Sequence, residues 1–235
     1  MKLIIDENAD FSSSGGFGNA VLYQMCGAAP FHSVQPNNPI FNSWEKIKGI
    51  IASKIWIIGR SYAASPQRTK IKLETEGSYD FFDILVDRIG EDNFSELNIK
   101  IYALKEKSFT GDYENNDKNI LLDIICIVEI FNSLLLNITE KNNISFASKY
   151  LHFHIPELVF IIDDYARKGG KILYKEKTLR LCEKEKPLLQ SYEENIRDYA
   201  RHVFCCYDLV MNMGKMTPRE LDTILVKRGY PKRSD

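Results

Sequence analysis

Cysteine pairs, long apolar runs and an excess of either charge are all missing from this sequence. Its five cysteines, Cys26, Cys126, Cys182, Cys205 and Cys206, contain no CxxC spacing. The adjacent Cys205–Cys206 is a poor zinc signature, so no metal site is expected. An odd count with no paired framework excludes a disulfide scaffold. Three of the five fall in apolar helical contexts, which reads as buried free thiols in a reducing compartment. No apolar run approaches the roughly 18–20 residues that span a bilayer, so no membrane association is expected. The N-terminal "MKLIIDENADFSSSGGFGN" turns acidic early and lacks the apolar stretch of a signal peptide. The expectation is a soluble, cytoplasmic protein. With 31 basic and 32 acidic residues and a formal net charge of -1, the chain lacks the basic excess common in nucleic-acid binders. A local basic groove would still suffice to neutralise a few phosphates. Alternating strand patterns are also scarce, apart from "KLIID" and "ELNIKIYAL", and there is no internal repeat or long linker.

What is present is helical pattern. Hydrophobic content of 44% and charged content of 27% suit a globular core. "AVLYQMCGAA" reads as one short helix. From Ser43, a candidate N-cap, apolar residues at 44, 47, 50, 51, 55, 57 and 58 recur at helical spacing until Pro66. Residues 78–90 read as an amphipathic helix capped by Ser78 and closed by Gly90. Residues 117–138 are nearly all apolar and read as the central buried helix, and 186–213 as one long helix. "TPRELD" carries a capping box, with Thr217 as N-cap, Pro218 at N1 and Glu220 at N3. The expected fold is mainly α with seven to nine helices, one globular unit over 1–235 that could divide into two lobes about a cleft.

The stretch with most chemical content is "SFASKYLHFHIPELVFIIDDYARK", residues 145–168. Ser145 to His154 reads as a helix stopped by Pro156. Apolar residues Val159 to Ile162 then run into Asp163 and Asp164, one of which opens the next helix. A helix N-cap is the ordinary role of such an acid. Only one of two neighbours can cap, however, and a carboxylate at a helix start beside apolar residues is a preorganised anion. Either Asp163 or Asp164 is the cap, and the other is free to point elsewhere.

A helix, a tight "hxPxxxxhhD" connection and an acid opening the next helix together resemble the core of the helix-hairpin-helix DNA glycosylase superfamily. On that pattern "ASKYLHFHIPELVFIID" puts the catalytic aspartate at Asp163. The resemblance covers about 25 residues closely. It implies a two-lobed helical fold that extrudes a base of double-stranded DNA and hydrolyses its glycosidic bond, with no cofactor. Where the superfamily has a glycine-rich, phosphate-binding hairpin, this chain has "TEKNNIS"; Asn142 and Asn143 can take left-handed conformations and keep the turn tight. The position of the Schiff-base lysine of bifunctional members is held by Ser145, which implies a monofunctional enzyme that leaves an abasic site. Lys149, one helical turn on, would face the same cleft. In addition, "GNAVLYQMC…KIWIIGRSYAASPQR" resembles the N-terminal part of a largely uncharacterised bacterial family with "SFASKYLHFH…D"-like and "PRELD"-like segments. Some proteins of this type are similar to antiphage glycosylases that remove glucosylated hydroxymethylcytosine.

Other residues compete for roles. Gly59 within a helix costs about 1 kcal/mol against alanine, and Arg60, Ser61, Tyr62 and Arg68 follow it as candidate phosphate and base contacts. A helix-packing glycine with an ordinary polar end is the plainer account. His152 and His154, two apart, are poorly spaced for a shared metal, and His152 is the better candidate for lining the cleft. Trp56, Tyr62, Tyr150 and Phe153 are candidate aromatic walls. "RDYARH" matches the loose R-x4-H pattern of HEPN ribonucleases, with Arg197 and His202 as the pair. A non-catalytic helical binding protein is the remaining alternative. Oligomeric state and target base are not legible.

Overall fold

A computed structural model describes residues 43–61, 64, 66, 81–176, 185–214 and 216–230, and excludes the side chains of Arg60 and Ser61. The expected helix at 20–29, "KLIID", Ser78, Tyr62 and Arg68 lie outside the described residues.

The described residues form nine α-helices: α1 (Trp44–Ser61), α2 (Phe81–Ile89), α3 (Glu91–Lys105), α4 (Lys118–Thr139), α5 (Ile144–His154), α6 (Asp164–Glu176), α7 (Lys186–Ser191), α8 (Glu194–Asn212) and α9 (Pro218–Gly229). No strand occurs among them. "ELNIKIYAL" is helical, within α3. Phe94, Leu97, Ile101 and Leu104 bury one stripe of it, and that period of three to four overrides the short alternation. The long helix expected over 186–213 is broken: α7 ends at Ser191, Tyr192 is extended (φ -79°, ψ 147°), and α8 restarts with Glu193 as N-cap. Gly90, at φ 82°, both follows α2 and precedes α3.

α4 is the central helix, packed against α2, α3, α5 and α8. It buries Ile120, Leu121, Ile124, Ile125, Val128, Phe131 and Leu135, each worth about 1.5–3 kcal/mol of transfer from water. The stretch Tyr113–Thr139 holds an 18-residue window of mean hydropathy 2.0 and is long and apolar enough to cross a membrane by length and composition, contrary to the reading of the sequence. Half of its most apolar window is buried inside the protein. At its start Asp117, fully buried, accepts hydrogen bonds from Thr110 N (2.9 Å), Gly111 N (2.8 Å), Asn116 Nδ2 (2.8 Å) and Tyr207 Oη (2.7 Å). Burial alone would raise its pKa, but these donors outweigh it and the net shift is downward. Among the described cysteines only Cys206 is buried; Cys126 is exposed and Cys205 intermediate.

α6 and α9 approach until their backbones touch. A Cβ on Gly169 would lie 1.9 Å from the Leu225 carbonyl oxygen, and one on Gly229 would lie 2.0 Å from that of Tyr165. Two glycines facing each other's helix are what this crossing requires. The Thr217–Glu220 capping box starts α9, so the helix that backs the site below has a defined first turn.

Candidate functional site

α5 is buried all round from Phe146 to His154, which is unusual for a helix carrying Ser148, Lys149 and His152. Those polar residues have a common task. Ile155 leaves helical geometry (φ -138°, ψ 67°) before Pro156, and the chain then runs through the core, with Val159–Ile162 buried yet unpaired in any sheet. A buried backbone needs partners, and side chains supply them. His152 Nδ1 donates to Val159 O (2.7 Å), Tyr199 Oη to Phe160 O (3.1 Å) and His202 Nε2 to Ile161 O (2.8 Å), while Ile162 N donates to Ser148 Oγ (3.2 Å). Burial holds the pKa of both histidines down at about 4, so each ring is neutral near pH 7. This clamp delivers Asp163.

Asp163 is itself the N-cap of α6. Its Oδ1 accepts from Ala166 N at 2.8 Å, while Oδ2 lies 3.2 Å from Lys149 Nζ. Capping and an oxygen turned to Lys149 in the cleft therefore belong to the same acid, and Asp164 is not the cap. Asp164 is 76% exposed and pairs with Arg167 Nη2 at 2.8 Å. The Asp163 side chain is 24% exposed and that of Lys149 only 4%, so the acid can be reached from a cleft and the lysine sits behind it. Lys149 Nζ also donates to Ser145 Oγ at 3.2 Å, the helical turn bringing positions 145 and 149 together.

The cleft has a volume of about 740 Å³. Asn142, Asn143, Ser145, Lys149 and Asp163 all line it, with Phe146, Tyr165, Arg167, Asn195 and Asp198. The turn before α5 differs from expectation. Its left-handed residue is Glu140 (φ 51°), while Asn143 sits at φ -114°. Asn143 N donates to Asn132 Oδ1 (2.8 Å) and Ile144 N to Asn142 Oδ1 (3.0 Å), so two loop amides are spent internally rather than offered to a phosphate. His152 does not line the cleft; it belongs to the clamp. Tyr150 and Phe153 are core residues, and Trp56, 46% exposed, is not on the cleft wall. Among the described residues the aromatic walls are Phe146 and Tyr165. Arg60 and Ser61 end α1, their side chains undescribed.

Three groups were not anticipated. Asn195, in the first turn of α8, lines the cleft with its side-chain oxygen buried and unpartnered. The Arg167–Asp198 pair, at 3.6 Å, closes one side. Asp222 of α9 stands behind, with Oδ1 sealed and unpartnered. Burial, and secondarily the charge of Asp163, pushes its pKa up to about 7, with Lys149 pulling the other way. Asn195, Asp198 and Asp222 lie on helices distant from 145–168 and nothing in the local sequence marks them, whereas Arg167 lies inside that stretch, in the first turn of α6. The cleft lining counts Asp163, Asp164, Glu194 and Asp198 against Lys141, Lys149 and Arg167, so the described walls are not a basic surface. Among the described residues no group of three or more metal-ligating side chains occurs. Arg197 donates through Nε (3.2 Å) and Nη2 (2.8 Å) to Tyr192 O, and His202 is spent on Ile161 O, so the two do not converge on a shared site.

No known family, curated protein or solved structure matches this chain.

Proposed function

We propose that the protein is a monofunctional DNA glycosylase of a divergent helix-hairpin-helix type with a degenerate hairpin. It extrudes a modified base of double-stranded DNA into the cleft and hydrolyses its glycosidic bond. The observation that carries this reading is Asp163: an acid fixed through one oxygen at a helix N-terminus, with the second oxygen in a cleft large enough for a nucleoside. Breaking the bond builds positive charge on the sugar. A carboxylate that cannot reorient stabilises that charge without reorganisation, and its second oxygen, once Lys149 has moved off it, can orient the attacking water. Lys149 fixes the direction of Oδ2. Its ammonium would repel the sugar cation, so the reading requires an entering phosphate to draw Lys149 toward itself and release Asp163. The unpartnered oxygen of Asn195 offers an acceptor to an amino or N–H edge of the extruded base, and the exposed Tyr165, stacked on Tyr230 with ring centres 4.5 Å apart, offers an aromatic face at the mouth. Glucosylated hydroxymethylcytosine of phage DNA is the proposed target, which would make the activity a defence.

The test is base release from a panel of duplexes containing uracil, oxidised, alkylated, hydroxymethylated and glucosyl-hydroxymethylated bases, read as alkali-labile sites. Labelled RNA runs alongside. Alkali-labile sites in one modified duplex, with RNA intact, support the reading; RNA cutting without base release overturns it.

A further inference from the structure

We infer that a second chamber, between α6 and α8, binds one nucleotide unit, its phosphate held by Lys171, Lys175 and Arg201 and its ring laid against Tyr174. The chamber has a volume of about 370 Å³ and shares Arg167 and Asp198 with the cleft wall. Its lining holds four cations, Arg167, Lys171, Lys175 and Arg201, against the single carboxylate of Asp198. Asp198 is occupied by both arginines, at 3.6 and 3.7 Å. Lys171 and Lys175 are exposed and have no acidic partner among the described residues. They stand one turn apart on α6, about 6 Å along its axis. Two such ammonium groups with Arg201 facing them from α8 suit an anion with several oxygens rather than a lone carboxylate.

The floor is different in kind. Cys205, Cys206, Leu209 and Gly170 form it, and burial pushes the Cys205 thiol up to about 12, so neither charge nor reactivity is offered there. Tyr174 is fixed by its hydroxyl, which donates to Asp208 Oδ2 at 2.7 Å. A ring held beside a row of cations is the arrangement on which a base stacks while its phosphate is neutralised. On its described walls the cleft carries more acids than bases, and the chamber beside it carries four cations against one carboxylate. The chamber is the adjoining basic surface. A nucleotide here could belong to a DNA strand whose neighbouring base enters the cleft, an arm that rests on the function proposed above, or be a free mononucleotide, which does not.

Binding separates these. Fluorescence anisotropy with a labelled 12-nucleotide strand of unmodified DNA, over a range of salt, and calorimetry with deoxyadenosine monophosphate are run on the full chain and on K171E/K175E. K171Q/K175Q substitutes if the reversed charges disturb folding. Tenfold weaker strand binding in the variant, with the log–log salt slope smaller by about 1.4 for two lost contacts, supports the strand arm. Mononucleotide binding that the variant loses supports the free arm. Unchanged binding of both probes, or no binding of either by the wild type, overturns the inference. Because the DNA is unmodified, an absence of base release leaves the binding result standing, and intact base release with unaltered binding removes the chamber alone.

Discussion

Lowering the pH should loosen the segment that carries Asp163, because two of its four clamps are histidines that must stay neutral. His152 and His202 are 2% and 8% exposed and donate to Val159 O and Ile161 O. Burial lowers the pKa of each from 6.5 to about 4. A depressed histidine pKa means the unfolded chain binds protons first, so stability is fully present above about pH 6.5 and is lost as pH falls toward 4. Between pH 7 and 5 the loss is about 2 kcal/mol for each ring, at 1.36 kcal/mol per unit. Asp222 works in the opposite direction over part of that range, so the quantity to measure is a difference between variant and wild type. His152→Asn and His202→Gln keep a donor near the original nitrogen but do not titrate. Urea unfolding at pH 7 and 5 should show each single variant losing about 2 kcal/mol less than the wild type, and the double variant about 4 kcal/mol less. Equal pH dependence in all four proteins would refute the clamp.

Two further outcomes follow from α9. Asp222 has a pKa raised to about 7, so the folded protein loses stability as pH rises from the aspartate range to 7. Asp222→Asn should remove that loss and gain about 1–3 kcal/mol on the wild type between pH 5 and 8, the lower figure applying if its partly exposed flank screens the charge; no gain in urea unfolding contradicts the buried, unpartnered carboxyl. Gly169→Ala places a methyl against the Leu225 carbonyl and should cost about 1–3 kcal/mol, read as a lowered melting temperature; a neutral result would mean α6 and α9 can part freely.

Much of the site was legible because it is local. A helix stopped by a proline, an apolar run and an acid at a helix start are all contained in 145–168, and the i to i+4 relation alone put Ser145 and Lys149 on one face. The misreadings come from tertiary demands that no local pattern expresses. Helical spacing puts His152 one turn beyond Ser148 and so suggests the cleft, whereas a buried extended backbone needs its N–H. Asp163 caps through one oxygen and turns the other to Lys149 in the cleft, so capping does not fall to Asp164. Asn195, Asp198 and Asp222 reach the site only through the packing of α6, α8 and α9, whereas Arg167 belongs to the local stretch itself. The break at Tyr192–Glu193 lies in polar sequence with no proline or glycine, and α3 hides its buried stripe under a short alternation.

The most direct measurement is base release from glucosyl-hydroxymethylcytosine DNA by wild type, Asp163→Asn and Asp164→Asn, all at saturating enzyme. Loss of one fixed charge-stabilising group should slow the reaction by a factor on the order of 10²–10³. Asp163→Asn should show that loss and Asp164→Asn a near-normal rate, because the Asp164 side chain is exposed and among the described residues pairs with Arg167 alone. Equal rates for wild type and Asp163→Asn, or no release by the wild type, would contradict the proposed role of Asp163.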